Sequence, residues 1–103
     1  MELDGKVAVV TGSAAGIGKA IATALAREGA SVAVADILGD MARETAGELA
    51  SEGLSATAFA VDVSDPEQVE AMVRDVTEKL GQVDILVNDA GIGKSQSFLD
   101  MAA

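Results

Sequence analysis

Three glycines between a β-branched run and an amphipathic stretch leave this chain few ways to fold. The segment Thr11-Gly12-Ser13-Ala14-Ala15-Gly16-Ile17-Gly18 follows Lys6–Thr11, whose valines favour a strand. It runs into Ile17–Glu28, whose apolar residues at 17, 21, 24 and 25 have helical spacing. A strand that turns through glycines straight into a helix is the first half of a parallel crossover. Each glycine has its own reason to be there. Gly12 allows a sharp turn through positive φ, Gly16 lets the backbone come close to a bound group, and Gly18 lets the helix pack tightly on the strand.

The rest of the chain repeats the alternation. Ser31–Ala35 reads as a second strand and Asp40–Glu52 as a second helix with Met41, Thr45 and Leu49 on one face. Gly29 and Gly53 stand just past the ends of the first two helices, where a C-terminal cap belongs. Thr57–Val61 is a third strand. Ser64-Asp65-Pro66-Glu67 reads as a capping box, with Pro66 tolerated in the first turn of a helix over Pro66–Leu80. That helix presents Val69, Met72, Val73, Val76 and Leu80 as its apolar stripe and stops at Gly81. Asp84–Asn88 is a fourth strand.

The strands carry apolar residues at successive positions, as they must when both faces of a parallel sheet are covered. Right-handed crossovers then predict an α/β fold: a doubly wound parallel sheet of about four strands in the order 3-2-1-4, with three helices. The 103 residues, half of them apolar, suffice for one domain over 1–103 with a thin core and an irregular tail at 92–103. No linker or low-complexity stretch divides it.

The helix opening near Ile17 offers unpaired N–H groups and the positive end of its dipole, a natural seat for an anion. Asp36, at the end of the second strand, falls at about the 20-residue spacing expected of a carboxylate that accepts hydrogen bonds from an adenosine ribose. Together they predict a dinucleotide phosphate site. A 2′-phosphate would require a cation beside Asp36, and Ala14, Ala15, Ile37 and Leu38 supply none, so NAD is expected over NADP. The competing readings are a purely structural glycine turn and a solvated or helix-capping Asp36.

Charge and composition remove other functions. The net charge is −10, and nucleic acids and anionic membrane surfaces are held mainly through Lys and Arg. With two Phe and no Trp or Tyr there is no stacking platform for unpaired bases. The absence of Cys and His excludes thiolate and imidazole nucleophiles, bases and metal ligands from these residues. The opening apolar run is too short for a signal peptide or membrane span, and a cytoplasmic location is expected.

The Thr11–Gly18 segment, Asp36, Asp62-Val63 and Asn88-Asp89-Ala90-Gly91 resemble the N-terminal motifs of the classical short-chain dehydrogenase/reductase family, over essentially the whole chain. The resemblance implies the N-terminal half of a Rossmann fold. It implies that Ser13 and Ile17 contact the cofactor's phosphates and adenosine ribose. Asp62 and Val63 would flank the adenine, and Asn88, Ala90 and Gly91 would line the floor beneath the ribose. Each has a plainer alternative: Asp62 as the cap of the turn before Ser64, Val63 as core, Asn88 as a strand-end turn former. Asp89 departs from the family's Asn, replacing an amide that donates and accepts with a carboxylate that only accepts.

The family's catalytic Ser and Tyr-x-x-x-Lys have no counterpart in these residues. Lys94 and Ser95 do not reproduce that spacing and read as loop. The expectation is therefore the NAD-binding portion of a dehydrogenase-like oxidoreductase, with no catalytic residue and no hydride transfer on its own. The alternatives are a stand-alone dinucleotide-binding or regulatory module and an engineered or structural half-domain. Self-association is expected, through the edge of the fourth strand or the thinly covered face of the sheet.

Overall fold

The computed structural model describes residues 2–89, in which β-branched runs become strands and the amphipathic stretches between them become helices. In chain order these are β1 (Val7–Thr11), α1 (Gly16–Arg27), β2 (Ser31–Asp36), α2 (Gly39–Ser51), β3 (Ala56–Ala60), α3 (Pro66–Lys79) and β4 (Ile85–Asn88). Every boundary falls within a residue or so of its sequence expectation. The strands form one parallel sheet in the order β3-β2-β1-β4. Val9 of β1 stands between Ala33 of β2 and Leu86 of β4, so the strand before the glycine turn is central.

Side chains alternate between two cores. Ala8, Val10, Val32 and Val34 pack with Ala22, Ala26, Ala42, Ala46 and Leu49 of α1 and α2. Val7, Val9, Ala33 and Ala35 pack on the other face with Phe59, Val61 and the Val69, Met72 and Val76 of α3. Val9, Val10, Val32 and Val34 are fully buried, each contributing about 2 kcal/mol relative to an exposed valine. The predicted layering holds: α1 and α2 cover one face, and α3 alone among the described residues covers the other.

The apolar stripe of α1 differs from its sequence reading. The residues against the sheet are Gly18, Ala22 and Ala26, while Ala24 is exposed and Ile17 is 73% exposed. Small residues four apart let the helix approach the strands closely, and the bulkier Ile21 and Leu25 flank the contact. In α2 likewise, Thr45 and Leu49 are buried together with Ala42 and Ala46, whereas Met41 is 41% exposed.

The cap of α3 also shifts by one residue. Pro66 takes the first helical position, which makes Asp65 the N-cap, and its carboxylate accepts from Glu67 N at 3.0 Å. Ser64 instead turns its hydroxyl to Asp62. At the base of the sheet Asp84 completes the β1–β4 ladder: its N–H donates to Val7 O, and its carboxylate accepts from Val7 N, both at 2.9 Å. Among the described residues no strand pairs with the outer edge of β4, and no helix is long and apolar enough to cross a membrane.

Candidate functional site

Parallel strands present their carboxyl ends on one edge of the sheet, and there the chain leaves β1 for the glycine turn. Gly12 and Gly16 both have positive φ, +67° and +62°. The N-cap of α1 is Ala15, extended at φ −155°, and it supplies no side-chain acceptor; the first turn contains no acidic residue. The amino end of α1 therefore has no capping group or charge of its own to satisfy its leading N–H groups. A Cβ placed on Gly16 would meet nothing within 4 Å, so the approach to this helix end is open. A Cβ on Gly18 would collide with the Gly12 carbonyl and stand 3.0 Å from the Asp89 carboxylate. One glycine keeps a surface accessible; the other permits close packing beneath it.

Side chains from elsewhere hold the turn. The Thr11 hydroxyl donates to Asn88 Oδ1 at 2.8 Å, tying the ends of β1 and β4. The Ser13 hydroxyl, fully buried, donates to Val10 O at 2.6 Å, and Ser13 N donates to Ala35 O at 3.3 Å. Ala14 is gripped on both sides: its N–H donates to Asp36 Oδ2 at 3.0 Å, and its carbonyl accepts from the Thr45 hydroxyl at 2.7 Å. The other Asp36 oxygen accepts from Leu38 N at 3.0 Å. Beside the turn lies a cleft of about 230 Å³ between α1 and α2, bordered by Ala14, Gly16, Lys19, Met41 and Glu48. Lys19 is paired with Glu48 at 2.8 Å.

Of the residues singled out from sequence, Gly12, Ser13, Gly16, Ile17, Gly18 and Asp36 come together around the turn, and Asn88 joins them through Thr11. Ser13 faces inward, whereas Ile17 stands in the open. Asp62 and Val63 follow β3, whose Ala60 is in register with Asp36. Asp62 Oδ1 accepts from Ser64 N at 3.0 Å and from the Ser64 hydroxyl at 2.6 Å, capping its own turn. Those two bonds, the hydroxyl foremost, hold the Asp62 carboxyl below its ordinary value of 3.8 against a small opposing effect of desolvation. Val63 packs partly buried against the α3-side core. Ala90 and Gly91, like Lys94 and Ser95 and the tail at 92–103, lie outside the described residues.

The residue that sequence reasoning passed over is Thr45, placed there only as one position of a helix face. Its signal was a hydroxyl among apolar neighbours, which must find an acceptor when buried. Among the described residues no cluster of carboxylates could hold a metal ion.

Comparison with known proteins agrees with this fold. Residues 6–103 match the family model for short chain dehydrogenase. The chain is 49% identical over 92 residues to a sorbitol dehydrogenase of Cereibacter sphaeroides, covering 89% of this chain and 35% of that protein. It is 44% identical over 101 residues to the oxidoreductase UcpA of Escherichia coli K12, covering 98% of this chain and 38% of that one. The crystal structure of a hydroxysteroid dehydrogenase from Escherichia coli superposes with a TM-score of 0.82 at 45% identity, over 84% of this chain and 37% of that one. The chain thus spans little more than a third of the length of these relatives.

Proposed function

The chain belongs to the short chain dehydrogenase family, and from that premise we propose that it holds the ADP half of NAD as the cofactor-binding portion of an oxidoreductase. The observation that carries the proposal is the open face over Gly16 at the uncapped amino end of α1. A pyrophosphate there would meet unpaired N–H groups and a favourable dipole with no side chain in its way. Gly12 and Gly18 shape the turn, Ser13 braces it from inside, and Ile17 extends over the cofactor. Asp36 takes the adenosine ribose hydroxyls while keeping the bond from Ala14 N. Asp62 and Val63 border the adenine, and Asn88, Ala90 and Gly91 form the floor.

A carboxylate at position 36 favours NAD over NADP, since it would repel a 2′-phosphate. The cations on the adjoining helices do not offset it: Lys19 is paired with Glu48, and Arg43 with Asp40. NAD supplies hydride chemistry when bound; these residues bind and orient it. The proton-transferring Ser and Tyr-x-x-x-Lys associated with the family have no counterpart among the 103 residues, which contain no Tyr. The reaction class is a dehydrogenation, as in the names of the sorbitol and hydroxysteroid relatives. Among the described residues the outer edge of β4 has no partner strand and one face of the sheet is covered by α3 alone, which supports association of two copies.

The test is a fluorescence titration of NADH with the chain. Emission should rise to saturation, and Asp36→Ala should weaken binding by at least about tenfold, as expected when charge-assisted hydrogen bonds are removed. No response at millimolar cofactor would overturn the reading.

A further inference from the structure

A threonine inside a helix ordinarily returns its hydroxyl to the carbonyl four residues earlier. Thr23 in α1 does so, donating to Lys19 O at 2.8 Å, and Thr77 in α3 donates to Val73 O at 2.8 Å. Thr45 in α2 does not. Its hydroxyl leaves the helix and donates to Ala14 O at 2.7 Å, 31 positions away in sequence and fully inside the protein. The bond lands on the residue of the glycine turn whose N–H is held by the Asp36 carboxylate.

We infer that Thr45 is a positioning residue for the cofactor turn, fixing the Ala14–Ala15 peptide so that the amino end of α1 stays open to the cofactor. Ala14 O and Ala15 N–H belong to one rigid trans peptide and point in opposite directions. Anchoring the oxygen on α2 therefore turns the Ala15 N–H away from α2 and sets the extended conformation of Ala15 that precedes the helix. That anchor matters because Ala15 provides no side-chain cap, so nothing within the turn itself fixes the first helical peptides. Without the hydroxyl, Ala14 O is left buried and unpaired, and the turn relieves this by moving. The inference rests on the cofactor reading above.

The test compares Thr45→Val, Thr45→Ala and Thr45→Ser in the full chain, with two readouts. Thr45→Val and Thr45→Ala should bind NADH about tenfold more weakly, whereas Thr45→Ser, which restores the hydroxyl, should fall within about twofold of wild type. In cofactor-free protein, amide hydrogen exchange at residues 14–18 should accelerate in the Val and Ala variants while β1 and the carboxyl half of α2 keep their protection. Unchanged affinity with unchanged exchange in the turn would overturn the inference. So would acceleration spread equally through the core, or loss of folding in both variants, since the bond would then serve the core. A wild-type chain that binds no NADH would remove the cofactor reading alone, and exchange in the turn would still decide whether Thr45 holds it.

Discussion

Gly18, in the first turn of α1, lies directly against the carbonyl of Gly12, with no room for a Cβ between them. Gly16, two residues earlier, faces open space at φ +62°. The two glycines should therefore fail in opposite ways. Gly18→Ala forces the helix off the strand and should cost about 3 kcal/mol of stability, measured by the denaturant midpoint. Gly16→Ala should cost only about 1 kcal/mol, for the left-handed backbone, yet weaken NADH binding by at least about tenfold by crowding the anion seat. Equal losses of stability would contradict the division of labour.

Asp36 should set the choice between cofactors as well as their affinity. Two like charges about 4 Å apart near a protein surface repel by several kcal/mol before relaxation and salt screening. Asp36→Ala should lower the preference for NADH over NADPH by at least about tenfold in parallel fluorescence titrations at low ionic strength. A ratio that does not move would place the discrimination elsewhere.

The Asp62 carboxyl should titrate below 3.8 when followed by its side-chain carbon resonance, because Ser64 donates two hydrogen bonds to the charged form. Its folded-state value is depressed. The stabilisation is therefore complete above the unfolded value and is lost as pH falls through the folded one. Ser64→Ala removes the stronger of the two bonds and should raise the midpoint toward 3.8, making the turn before α3 less sensitive to acid. A midpoint that stays put would mean that the hydroxyl is not the cause.

Sedimentation velocity should show association at micromolar concentration, driven by the β4 edge, which has no partner strand among the described residues, and its half-buried Ile85, Leu86 and Val87. Leu86→Lys should shift the distribution toward monomer. A clean monomer of the wild-type chain would count against association.

What could be read from the sequence was what depends on neighbours in sequence. Valine runs, glycines past helix ends and apolar spacing gave the elements, and right-handed crossovers in a doubly wound arrangement gave the sheet order. The conformations of Gly12 and Gly16 were legible for the same reason, since each is a property of the local backbone. The inward turn of Ser13 and the reach of Thr45 to Ala14 were not, because each depends on which atom the folded chain brings within 3 Å or so. Ile17 misled the periodicity for a related reason. Helical spacing identifies a set of apolar positions, but close approach to the sheet selected the small residues Gly18, Ala22 and Ala26 for the contact.

Ala14 is held by Asp36 and Thr45, and Thr11 by Asn88. All three holders lie outside the stretch from β1 through α1 that contains every glycine of the turn. A synthetic peptide of residues 7–27 would carry every glycine of the turn and none of these three holders. The motif is therefore not portable: it comes into being only when β2, α2 and β4 have docked. Nucleotide capture by this chain should thus act as a reporter of completed assembly, fading as soon as any one of those pieces detaches.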